Sequence, residues 1–120
     1  MEVPHRQSLP SERGSPLAVE AVERGIQFLE DEEHGQAIEC FTEAIRLCPR
    51  FTHAHFARAC AYDDKGEFDL AITDCTEAIR LDPKCARAYR LRAMIYDERG
   101  DWVKAERDIA MARRAEARQH

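Results

Sequence analysis

Apolar residues recur along this chain at spacings of three and four, the period of an amphipathic helix. Val19, Val22, Ile26 and Leu29 form one stripe, and Leu17, Ala21, Gly25 and Phe28 form a second. Together they predict a helix over about 16–31, with Ser15 as its N-cap and Pro16 at the first helical position. One stripe must face a partner helix, which leaves the other for something else. A second helix is predicted over about 35–48, where Ile38, Phe41, Ile45 and Leu47 are apolar. Four more follow over about 52–64, 68–81, 86–98 and 102–118. Lys65-Gly66-Glu67 and Gly100 supply the later turns, where glycine admits the left-handed conformation. The first turn, Glu30 to Gly35, lacks that early glycine, and its geometry is left open. Residues 1–15 are rich in Pro, Ser, Gly and charge, show no periodicity, and read as a disordered tail. Residues 16–120 read as one helical domain.

The helices are copies of one another. Residues 42–49 read TEAIRLCP and residues 76–83 read TEAIRLDP, identical at seven of eight positions and offset by 34. The same offset relates Ala37, Ala71 and Ala105; Ala44, Ala78 and Ala112; Phe28, Tyr62 and Tyr96; and the small residues Gly25, Ala59 and Ala93. Pro49 and Pro83 close the first two units, and Ala117 stands at the matching place in the third. Small residues at a fixed register let two helices approach closely, and the aromatic three residues on fills the space beside that contact. A fixed period of this size marks stacked units, none of which can bury its apolar face alone.

With this pattern the chain resembles the tetratricopeptide-repeat family over about residues 16–119, in units of roughly 18–51, 52–85 and 86–119. The resemblance implies an all-α, right-handed solenoid of three antiparallel helix hairpins. It also implies that the first helix of each hairpin lines a concave groove that binds an extended or helical peptide. On the positions of this sequence, the groove would be lined by Val22 and Ile26 from unit one and by His53, Phe56 and Cys60 from unit two. Unit three would add Arg87, Arg90, Leu91 and Met94. Phe56, Ile26, Leu91 and Met94 would form an apolar strip. Arg87 and Arg90 would stand at one rim, and Asp63, Asp64, Asp97 and Glu98 at the other. Such a surface suits a segment with an apolar anchor and an acidic group near the arginines. Family members that clamp a chaperone's C-terminal carboxylate use Lys, Asn and Arg at positions that here hold Val22, Ile26, Ala57, Arg87 and Leu91. Only Arg87 keeps that character, so a chaperone carboxylate is not the expected ligand.

A further series, Arg24, Arg58 and Arg92, recurs at 34, as do Asp74 and Asp108. An interhelix ion-pair ladder is the expected use, with a row of phosphate-binding arginines as the alternative. The last helix mixes Trp102, Val103, Ile109 and Met111 with Lys104, Arg107, Arg113, Arg114 and Arg118, and no separate capping helix follows it. Either this helix is polar enough to end the array, or the array continues by self-association.

Composition narrows the function. Charged residues make up 34% and the net charge is −5, which argues against general nucleic-acid binding. No apolar run is long enough to span a membrane, and no apolar signal core opens the chain. Five cysteines with no CxxC pair fit a reducing compartment, so the expected location is cytoplasmic. No phosphate loop, GxSxG or HExxH is present. His53 and His55 lie near Cys48 and Cys85 in sequence, but two positions on a helix diverge by about 200°, so zinc is a remote reading. The expectation is a non-enzymatic adaptor or scaffold with no cofactor and no metal, whose partner is a protein or peptide. The alternative is a self-associating homo-oligomeric scaffold.

Overall fold

Six helices form in the computed structural model, which describes residues 14–118. They are α1 (Pro16–Glu30), α2 (His34–Leu47), α3 (Thr52–Lys65), α4 (Phe68–Leu81), α5 (Ala86–Glu98) and α6 (Trp102–Arg118). Every predicted helix is found, with ends shifted by at most one residue. The tail reading for the first thirteen residues lies outside the described residues. Ser15 caps α1 by accepting a bond from the Ala18 amide at 3.2 Å, and Pro16 follows it. The Ser15 amide in turn donates to Cys48 Sγ at 3.1 Å, which ties the chain entry to the end of α2.

The turns inside the hairpins repeat as faithfully as the sequence. The amides of Glu33, Glu67 and Asp101 each donate to the carbonyl five residues back, of Phe28, Tyr62 and Tyr96, at 2.8 Å. This closes a Schellman cap, whose pivotal residue must be left-handed. In the second and third hairpins that residue is Gly66 (φ +84°) or Gly100 (φ +81°). In the first it is Glu32, at φ +60°. The turn whose geometry the sequence left open is therefore the same turn, made with a residue that pays steric strain for it.

Packing follows the small-residue register. Ala37, Ala44, Ala71, Ala78 and Ala112 are fully buried and Ala105 nearly so. At Gly25 a Cβ would lie 2.4 Å from Phe41 Cε1, so only glycine lets α1 approach this fully buried ring. The Ala21–Gly25 stripe of α1 thus faces α2, although Leu17 at its start is exposed. Each hairpin then rests on the next. One core cluster joins α1, α2 and α3 around Phe41, and a second joins α3, α4 and α5 around Cys75, Leu91 and Ile95. First helices also touch one another, α1 with α3 and α3 with α5. They therefore form one continuous row on one side of the stack.

Candidate functional site

The row of first helices presents residues of equal register side by side. Val19, His53 and Arg87 occupy one such level, and Val22, Phe56 and Arg90 the next; Ile26, Cys60 and Met94 make a third. At the middle of the row, Arg87 lies over the face of Phe56, with its guanidinium carbon 4.7 Å from the ring centroid. Arg87 Nη2 also stands 3.3 Å from His53 Nδ1. An arginine donates only, so His53 accepts through Nδ1 and carries its proton on Nε2. Burial, and then the Arg87 charge, hold the His53 imidazole below its ordinary pKa, so near neutral pH the ring is uncharged. The result is an aromatic shelf topped by one cation and flanked by an uncharged imidazole.

Cys60 extends the shelf. Burial, with the nearby Asp64 and Asp63 carboxylates, pushes its thiol up to about 11, so it serves as an apolar wall and not as a nucleophile. Toward the helix C-termini the surface turns acidic. Asp63 is raised above its usual range chiefly by burial, and further by the neighbouring Glu98 and Asp64 charges.

The nine residues expected to line a groove separate into three groups. Ile26, His53, Phe56, Cys60 and Arg87 are at least partly exposed on the row of first helices. Val22 (3% exposed) and Leu91 (8%) belong instead to the core: the following hairpin covers Val22 and the preceding one covers Leu91. Their apolar side chains are needed where hairpins meet, and a linear stripe does not distinguish that contact from a free face. Arg90 and Met94 turn toward α6. Arg90 forms a two-point ion pair with Glu116, and Met94, 58% exposed, borders a cleft of about 320 Å³ with Ala93, Asp97 and Ile109. The apolar strip is thus shorter than the sequence suggested, and only Arg87 stands at the cationic rim.

The recurring arginines make the ladder expected of them. Arg58 grips both oxygens of Asp74 at 2.7 and 2.9 Å, and Arg92 grips Asp108 at 2.7 and 2.8 Å. Each also reaches back to the preceding hairpin, Arg58 to Thr42 Oγ1 at 3.1 Å and Arg92 to Thr76 Oγ1 at 3.0 Å. The hydrogen bonds to the aspartates raise both guanidinium pKa values further. The threonines were not anticipated, although the duplicated TEAIRL string contains both. Arg24 has no such aspartate, because Cys40 occupies the matching place.

His55 is not a metal ligand candidate: it is buried, with Nε2 at 2.9 Å from the Pro49 carbonyl. Among the described residues no group of three or more His, Cys, Asp or Glu could hold a metal ion, and no helix is long and apolar enough to cross a membrane. All five cysteines are free thiols.

Solved structures similar to this one share its hairpin stack. The TPR2B domain of yeast Sti1, solved in a complex with pHsp70, is 29% identical with a TM-score of 0.84, over 87% of this chain and 83% of that one. The Sgt2 TPR domain from Aspergillus fumigatus is 23% identical with a TM-score of 0.85, over 92% and 73%, a likeness of fold. MamA is 25% identical with a TM-score of 0.82 over 85% of this chain, which spans 60% of the MamA chain. A search of curated protein sequences gives no match. The family profile described as Tetratricopeptide repeat matches residues 22–83 and again 56–119, so the overlapping matches cover all three hairpins. On this match and on the geometry above, the chain belongs to the tetratricopeptide-repeat family.

Proposed function

We propose that this protein is an interaction module that binds a polypeptide segment along its row of first helices. The segment would pair an apolar anchor with an acidic group. The observation that carries this reading is the Arg87–Phe56–His53 cluster. An exposed cation is held over an aromatic ring, beside a neutral histidine. Cation and shelf are preorganised, so little side-chain entropy remains to be lost on binding. Ile26 and Cys60 extend the apolar surface on which an anchor would rest. Aromatic and arginine side chains at the centre of a patch are the usual carriers of binding energy.

The TPR domains of Sti1 and RPAP3 have been solved with Hsp70 or HSP90 peptides, including SRMEEVD. The ligand proposed for this chain is a different one. Of the positions matching a carboxylate clamp, Val22, Ala57 and Leu91 are buried apolar residues, which leaves Arg87 with no second cation to share a carboxylate. Fluorescence anisotropy against a library of acidic-hydrophobic peptides, with SRMEEVD included, tests the reading. Binders from the library should lose about tenfold or more affinity in Phe56→Asp and in Arg87→Glu, and SRMEEVD should not compete. Tight SRMEEVD binding, or binders indifferent to both substitutions, would contradict it.

A further inference from the structure

The two ends of the helix stack are not alike. Where one hairpin meets the one before it, the incoming first helix buries a stripe at i, i+3 and i+7. In α3 this is Ala54, Ala57 and Ala61, and in α5 it is Ala88, Leu91 and Ile95, all 8% exposed or less. The matching stripe on α1 is Glu20, Glu23 and Gln27, and all three are exposed. The N-terminal end of the stack is therefore sealed with polar groups.

The C-terminal end keeps part of its apolar character. In the second hairpin, Cys60 and Phe68 pack against the cluster that includes Leu91 and Ile95 of the next first helix. Their counterparts one repeat on are Met94 and Trp102, which are 58% and 67% exposed. Met94 borders the cleft against Ala93 and Ile109 of α6's hairpin, with Arg90 and Asp97 also in its lining. Around this apolar centre the register has turned ionic. Ile38 and Ile72 give way to Glu106, and Ile45 and Ile79 to Arg113. Glu106, Ile109 and Arg113 lie at i, i+3 and i+7, hence on one stripe of α6.

We propose that two copies of this chain associate end to end through this C-terminal face. The two α6 helices cross antiparallel about a two-fold axis near Ile109. That arrangement sets Glu106 of each copy opposite Arg113 of the other, with Met94 and Ile109 in the dry centre. The stripe is self-complementary in charge only in this sense. Its charges lie seven residues apart, about 10 Å along the axis, and are of opposite sign, so antiparallel pairing matches both at once. The association therefore closes as a dimer and does not extend as a filament. An apolar centre with a charged rim is the ordinary anatomy of such a contact, and the small end of a two-helix layer makes it a dissociable one.

Sedimentation over a concentration series tests this directly. The full chain should move from 13.8 kDa at low concentration toward twice that mass as concentration rises. Met94→Glu, an exposed position that the fold does not need, should remain monomeric throughout. Arg113→Glu and Glu106→Arg should each weaken the dimer about tenfold, because each creates two like-charge pairs. The double variant Glu106→Arg/Arg113→Glu should restore the wild-type constant. A wild-type chain that stays monomeric at every concentration, a dimer that survives Met94→Glu, or a double variant no better than the singles would overturn the proposal.

Discussion

Replacing Arg92 by methionine is the sharpest test of how this stack is held together. Arg92 makes both of its charge-assisted bonds to Asp108 in a place where the aspartate side chain is 4% exposed and the arginine side chain 17%. Methionine preserves most of the aliphatic stem but removes all three guanidinium hydrogen bonds, two to Asp108 and one to Thr76. What remains is a carboxylate with almost no access to water. Breaking one partner of a buried pair costs about 3–5 kcal/mol, most of it for the stranded charge. The partly open edge at Arg92 lets some water in, which places this site near the lower end, about 3 kcal/mol. For a domain of this size the melting temperature should fall by about 10–20 °C. The companion variant Arg92→Met/Asp108→Leu removes the stranded charge and should recover to within about 1 kcal/mol of wild type. Urea titrations of the two variants and of Asp108→Leu complete a double-mutant cycle. If Arg92→Met costs less than about 1 kcal/mol, or if the double variant is worse than either single, the ladder is not what couples α5 to α6.

Three further outcomes follow from local geometry. Glu32→Gly should stabilise the protein by about 0.5–1 kcal/mol, because it relieves a left-handed residue that the other two turns make with glycine; a melt lower than wild type would contradict the shared turn. Gly25→Ala should destabilise by about 1–3 kcal/mol through its clash with the Phe41 ring, and Phe41→Leu in the same chain should recover part of the loss. His53 has a folded-state pKa below its unfolded one, so its contribution to stability is fully present above the ordinary imidazole range. That contribution is lost as pH falls through the folded value. The stability of His53→Gln relative to wild type should therefore rise as the solution is acidified below about pH 6.5, and a pH-independent difference would refute the assignment.

Nearly all of the fold was legible because the repeat states each position three times. Ala37, Ala71 and Ala105 mean little singly, but at one period they specify a helix crossing. The Arg58–Asp74 and Arg92–Asp108 pairs were readable for the same reason. Glu32 was not, because the left-handed turn is imposed by the two helices it joins and not by its own preference. The surface was harder to read than the core. Val22 and Phe56 share a register position and look alike in sequence, yet one is buried by a neighbouring hairpin and the other half-open. Whether an apolar residue lies between hairpins or on the free side depends on the tilt of one hairpin against the next. The turn of Arg90 toward α6 was unreadable for a related reason: its partner, Glu116, is 26 residues away on a different helix.

The central claim is that the row of first helices offers a free surface to another polypeptide around Arg87, Phe56 and His53. Amide chemical-shift mapping with the tightest peptide from the library tests it residue by residue. The account predicts that the largest shifts fall on α3 and α5 near His53, Phe56, Cys60 and Arg87, with α2, α4 and Trp102 little changed. Shifts concentrated on the second helices, or on the terminal face around Met94 and Trp102, would contradict it.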